Sequence, residues 1–133
     1  MALTCTVTTS ALAVGTRSLV ATYGGDADHT GATSVAFTQT VTQAASTTTI
    51  ASSANPSIYG TGVTFTVSVS AGDGIPTGTV AVSDGSTAIG TCTLSAAGSC
   101  TVATRALTVG SHSIAATYSG DVNRSAKIGR AHV

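Results

Sequence analysis

The chain has no tryptophan and no glutamate, and only 4% of its 133 residues are aromatic. Charged residues make up 8%, with five Lys or Arg against five Asp, so the formal net charge is zero. Without a cluster of Lys or Arg, the chain lacks the electrostatic footprint that nucleic acid or an anionic membrane surface requires. No apolar run approaches the ~20 residues of a membrane-spanning helix. Leu and Lys are scarce as well, which removes more of the strongest helix formers. Threonine fills about a fifth of the positions, followed by Ala, Ser, Val and Gly. The hydrophobic content of 42% is too high for a disordered chain. Thr/Val/Ser alternation is strand chemistry, because β-branched side chains pack well on a pleated surface. The expectation is an all-β protein, and the sequence shows no reaction.

An internal repeat reorganises this reading. Aligning Cys5 with Cys100 brings Cys5-Thr6-Val7 onto Cys100-Thr101-Val102, Val14-Gly15 onto Val109-Gly110, and Ala21-Thr22-Tyr23 onto Ala116-Thr117-Tyr118. Gly25-Asp26 then falls on Gly120-Asp121, and 14 of the 28 positions from Cys5 to Ala32 are identical without a gap. The period of 95 residues is that of a domain, longer than the 20 to 50 residue units of solenoids and propellers. Residues 1–43 are therefore expected to be the C-terminal part of a truncated copy. Residues 44–127 are expected to form a second copy that lacks its last strand.

Residues 128–133, Ile-Gly-Arg-Ala-His-Val, show no strand alternation and no match to Thr33–Val41, the strand that closes the first copy. They are the translation of ATCGGAAGAGCACACGTC, a string of common sequencing adapters, and are expected to be a non-native tail. Without residues 127 to 133 the chain retains Arg17, Arg105 and Arg124 against five aspartates, a net charge of −2.

Within the second copy, alternating segments separated by turn residues predict strands at about 46–52, 62–70, 77–82, 87–94, 99–105 and 111–118. Val63, Phe65, Val67 and Val69 share one face of the second of these, opposite Thr64, Thr66, Ser68 and Ser70, which is the period of a half-buried strand. The matching strands of the first copy are expected at about 3–10, 16–23 and 33–42. The succession Thr-Thr-Thr-Ile, Asn-Pro-Ser-Ile-Tyr-Gly, Gly-Val-Thr-Phe-Thr-Val, Pro-Thr-Gly-Thr-Val, Ser-Asp-Gly, Ala-Leu-Thr-Val-Gly-Ser-His-Ser-Ile and Ala-Thr-Tyr-Ser-Gly-Asp resembles the bacterial Ig-like repeat domains that occur in tandem in large surface and secreted proteins. The resemblance covers about residues 46 to 125 and implies a seven-stranded Ig-like antiparallel sandwich used as a stalk, spacer or adhesion module, without cofactor or catalytic residues.

Few side chains are candidates for chemistry. Cys92 and Cys100 lie equally far from Ala96 at the tip of a predicted hairpin, which would put both on one face of facing strands near the ~4 Å Cβ spacing of a disulfide. Such a bridge would contribute roughly 2.5 kcal/mol by closing a short loop and would imply an oxidising, exported setting. Buried free thiols are the alternative, and a zinc site would need further ligands nearby. Cys5 aligns with Cys100, so its partner would fall ahead of Met1 and truncation leaves it unpaired. Tyr23 and Tyr118 close the repeated Ala-Thr-Tyr-x-Gly-Asp motif and suit a structural role, with the ring in the core and the hydroxyl bonded to a nearby loop. Asp26, Asp28, Asp121 and Asn123 make two corresponding oxygen-rich loops. Calcium is one reading of them and turn chemistry, with short side chains bonding their own backbone, is the other. The chain offers five aromatic rings for glycan stacking, and its two Phe residues, Phe37 and Phe65, are expected in the core. No histidine position recurs between the copies, and no triad or phosphate-binding loop is apparent.

The reading that follows is a non-catalytic repeat of a large exported bacterial protein. Its expected partners are neighbouring Ig-like repeats and other copies of the truncated chain, through self-association at exposed strands. The alternatives are a carbohydrate- or surface-binding adhesion module, or an accessory domain of a secreted hydrolase.

Overall fold

The computed structural model describes residues 2–132, and every regular element among them is a β-strand. The chain divides into two compact units, Met1–Thr42 and Gln43–Val133.

The first unit contains β1 (Gly15–Leu19), β2 (Thr22–Tyr23), β3 (Ala32–Thr33) and β4 (Phe37–Val41). β1 pairs antiparallel with β4 and β2 with β3. The strand expected at 3–10 does not form. Its counterpart in the second unit is a strand because it ladders with another strand of that unit, and residues 3–10 have no equivalent partner among the described residues. An extended segment without a ladder partner leaves its backbone groups to water. Phe37, expected in the core, is 62% exposed.

The second unit continues with β5 (Ser46–Ser52), β6 (Val63–Ala71), β7 (Thr79–Asp84), β8 (Thr87–Thr93), β9 (Ser99–Thr104), β10 (Ser113–Tyr118) and β11 (Lys127–His132). β5, β6 and β9 form a three-stranded sheet, and β11, β10, β7 and β8 a four-stranded one in that order. All these pairings are antiparallel. The period of two places Val63, Phe65, Val67 and Val69 of β6 inward, where they meet Val80 and Val82 of β7, Val102 of β9, and Ile114, Ala116 and Tyr118 of β10. Each fully buried Val, Ile or Phe stabilises by about 1.5–3 kcal/mol, so this single apolar layer holds the sheets face to face.

Two sequence expectations are corrected here. The last strand of the second copy is present: residues 127–132 pair along β10 from Tyr118↔Lys127 to Ser113↔His132. The segment escapes a hydrophobic-alternation reading because its small residues face inward. Gly129 is buried and Ala131 half-buried, whereas Ile128 and Arg130 point to solvent. Gly129 lies so close to β5 that a Cβ there would collide with the Thr48 carbonyl. The sheet edge beside β10 is thus occupied by β11.

The second correction concerns the predicted hairpin at Ala96. β8 ladders with β7, and β9 ladders with β6. The turn at 95–98 is tight, with Gly98 N donating to Ser95 O and Ser95 N to Ser99 O. The two strands it joins nevertheless belong to opposite sheets.

Candidate functional site

Three places gather the polar chemistry of the second unit. The first is the bridge between Cys92 of β8 and Cys100 of β9, whose sulfurs are bonded with the Cα atoms 5.8 Å apart. Because β8 and β9 lie in different sheets, the disulfide ties one face of the sandwich to the other. Both half-cystines pack against the core, beside Ile89 and Leu94 at its margin. Cys5 is free and exposed.

The second is the loop that follows β10. Gly120 adopts a φ of +81°, and a Cβ at this position would come within 2.8 Å of the Arg124 carbonyl, so the turn needs glycine. It brings Asp121 under Tyr118. The Tyr118 hydroxyl donates to the Thr77 carbonyl at 2.7 Å and to Asp121 Oδ2 at 3.1 Å. The same carboxylate oxygen accepts from Thr77 N at 3.1 Å and from a terminal guanidinium nitrogen of Arg124 at 3.0 Å, while Oδ1 accepts from Asn123 N at 2.9 Å. Arg124 Nε also reaches Asp73 at 2.9 Å. Burial pushes the Asp121 carboxyl up, but the Thr77 and Asn123 amides, Arg124 and Tyr118 outweigh it and hold the group well below the usual carboxylate range. Burial, reinforced by Asp121, raises the Tyr118 phenol. Asp73 and then Asp121 raise the Arg124 guanidinium.

The network engages the oxygens of this loop locally. Asp121 is already surrounded by N–H and O–H donors and by the cationic Arg124, while Asn123 turns its backbone N–H toward the carboxylate. That is turn chemistry, a carboxylate fastening a loop to two strands. Among the described residues no group of three or more His, Cys, Asp or Glu is arranged to hold a metal ion.

The corresponding loop of the first unit repeats the geometry with fewer partners. Asp26 accepts from Asp28 N at 2.9 Å and faces His29 Nδ1 at 2.8 Å, and Tyr23 OH donates to it at 3.3 Å. The His29 contact, followed by the Asp28 amide, lowers the Asp26 carboxyl. Tyr23 is 51% exposed, whereas Tyr118 is fully buried.

The third place is a cleft of about 250 Å³ at one end of the second unit. It lies between the 55–61 loop, which holds a cis Asn55–Pro56 bond, and residues 107–112. Its rim carries the exposed Ile58, Tyr59 and Val109. At its base the His112 ring spans two acceptors, Nδ1 to Asp84 Oδ2 at 2.6 Å and Nε2 to the Thr108 carbonyl at 2.7 Å. A neutral imidazole has only one N–H, so both bonds are donated only by the imidazolium. The Thr108 carbonyl, followed by the Asp84 carboxylate, raises the His112 pKa accordingly. With both ring nitrogens engaged, His112 acts as a strut between the strand end and the loop.

Sequence reasoning found Tyr118 and Asp121 through their repeated motif. It missed Thr77 and Arg124 as partners of Asp121, Asp73 as the second partner of Arg124, and Asp84 as the partner of His112. Thr77 and Asp121 are 44 residues apart and meet only because β7 pairs with β10. No local spacing marks such a contact.

Among known families, the model described as bacterial Ig-like domain (group 3) matches residues 48–131. No curated protein and no solved structure matches the chain.

Proposed function

Because the chain belongs to the bacterial Ig-like domain (group 3) family, a family of structural or adhesion-type modules that is typically non-catalytic and usually extracellular, we propose that it serves as a load-bearing spacer repeat of a large exported protein. The observation that carries this reading is the Cys92–Cys100 bridge between the two sheets. A sandwich under tension fails when its sheets part or a terminal strand peels away, and a covalent tie across the sheets blocks the first route. The bridge also suits an oxidising compartment. No helix of the described residues is long and apolar enough to cross a membrane.

Pulling the chain from its two ends by single-molecule force spectroscopy tests the role. Oxidised protein should release less contour length than reduced protein, by the stretch from Cys92 to Cys100, and at higher force. Equal unfolding force in both states would remove the mechanical argument.

The cleft with the exposed Tyr59, Ile58 and Val109 favours a second reading, adhesion through that end of the sandwich to a cell-wall or surface glycan. Binding on a glycan array that is lost in a Tyr59→Ala variant would favour this role over a passive spacer.

A further inference from the structure

At the repeat distance of 95 residues, Arg17 corresponds to His112 and His29 to Arg124. The residues differ, yet each pair makes the same contact. Arg17 Nε donates to the Ala13 carbonyl at 3.1 Å and His112 Nε2 to the Thr108 carbonyl at 2.7 Å, and Ala13 and Thr108 themselves correspond. Arg124 donates to Asp121 at 3.0 Å, and His29 Nδ1 stands 2.8 Å from Asp26. The first of these bonds is kept although Arg17 lies inside β1 and His112 just ahead of β10. What the position supplies is a donor to the carbonyl four residues back. A guanidinium supplies it at every working pH, and an imidazole only while a proton sits on Nε2.

At His112 that proton has a second claimant. The ring faces Asp84 as well as Thr108, and a neutral ring has one N–H for the two acceptors. A charged acceptor makes a hydrogen bond roughly twice as strong as a neutral one, so the remaining proton stays on Nδ1 toward the carboxylate. Nε2 then turns a lone pair on the Thr108 carbonyl oxygen at 2.7 Å, a separation that only a shared proton sustains. Attraction becomes repulsion, and the carbonyl must move away. Little else holds it: Leu107 packs against the core, but Val109 is 87% exposed. Among the described residues no backbone–backbone hydrogen bond outside the strands involves residues 107–111. Gly110, with a φ of +133° and open space where a Cβ would stand, gives the segment a place to turn.

The charged and titratable groups around the ring come from four elements. Asp84 ends β7, Tyr59 lines the opposite wall of the cleft, and Arg105 opens the loop, exposed and beside Gly62. The register of β11 sets His132 opposite Ser113. The Thr108 carbonyl, followed by Asp84, raises the His112 pKa above its ordinary value of 6.5, so the ring gives up its proton on the alkaline side of that value.

We propose that His112 is a latch on the 107–111 wall of the cleft, fastened while the ring is protonated and released when it is not. Arg17 is the permanently fastened form of the same latch in the first copy. The proposal deepens the second reading of the cleft by naming what regulates it. Its assay needs no ligand, so a glycan array without signal would remove that reading and leave the latch standing.

The test is nuclear magnetic resonance relaxation on the isotope-labelled full chain. Backbone order parameters of Thr108, Val109 and Gly110 should lie near about 0.85 at about pH 5.5 and fall below about 0.6 at about pH 8.5, with the midpoint of the His112 ring titration. In Asp84→Asn the amide can donate to Nδ1, which leaves the proton of the neutral ring on Nε2 for Thr108, and the wall should stay ordered at both pH values. A merely structural Asp84 would instead leave the wall loose in that variant. His112→Arg, carrying the residue of the first copy, should also keep the wall ordered at both, and His132 is unchanged throughout. Amides of Val63–Ala71 report whether each variant is folded, and if one is not, the other decides. Equal order at both pH values in the wild-type chain overturns the proposal, as does a His112 ring that does not titrate between them. Loosening of the wall at about pH 8.5 in either folded variant overturns it as well.

Discussion

Replacing Asp121 by alanine should cost the second unit about 3 kcal/mol, because the side chain fastens the buried Tyr118 hydroxyl, the largely covered Arg124 and two backbone amides at once. The variant leaves the Tyr118 hydroxyl with the Thr77 carbonyl alone, and it leaves Thr77 N and Asn123 N without their acceptor. Arg124, 12% exposed, keeps only Asp73. Hydrogen bonds to a charged group are worth about 1.5–3 kcal/mol each, and water entering at the loop surface recovers part of the sum. For a domain of this size about 3 kcal/mol lowers the melting midpoint by roughly 12–24 °C. Thermal melting followed by circular dichroism at neutral pH reads it directly. The sign with pH is fixed by the depressed Asp121 pKa. A carboxyl that ionises more easily when folded contributes in full above its ordinary value of about 4, and loses that contribution as the pH falls through the folded value. The gap between the wild-type protein and the variant should therefore be constant from neutral pH down to about pH 5 and close progressively below about pH 4. Asp26→Ala is the internal control, with the same turn but an exposed carboxylate and no group corresponding to Thr77. A midpoint shift for Asp121→Ala no larger than that for Asp26→Ala, or a gap unchanged in acid, would refute the reasoning.

Other outcomes follow from the same geometry. Replacing Cys92 and Cys100 together by serine should lower stability by about 2.5 kcal/mol through the entropy of the short closed loop, measured by urea unfolding under non-reducing conditions. The raised His112 pKa has the opposite pH signature to that of Asp121. Its contribution is complete below about pH 6.5 and is lost as rising pH removes the ring proton, so the melting midpoint should fall on the alkaline side. His112→Gln should flatten that slope. Gly129→Ala should destabilise by about 1–3 kcal/mol, since the added methyl meets the Thr48 backbone and one strand must shift; an unchanged midpoint would mean that β11 is not seated on β5.

The period of two identified the strands of the second unit because each has one buried face. β6 and β10 carry Val, Phe, Ile and Tyr inward with polar or small residues between them. Where inward residues are small, as Gly129 and Ala131 are in β11, the same rule finds nothing, although the backbone ladder is complete. Where a segment has the right alternation but no partner, as at residues 3–10, the rule finds a strand that does not form. Periodicity reports which residues a strand would bury and is silent on whether another strand lies beside it.

The candidate sites divide along the same line. The sequence by itself determined the all-β class, the repeat, the strands of the core and the motif that joins Tyr118 to Asp121, because each depends on residues close together in the chain or on alternation within one segment. Tertiary structure alone decided that Cys92 and Cys100 span two sheets, that Thr77 and Arg124 close around Asp121, and that Asp84 holds His112. These contacts depend on which distant strands pair, and ladder partners are chosen by the whole apolar layer at once. No turn or spacing along the chain encodes that choice.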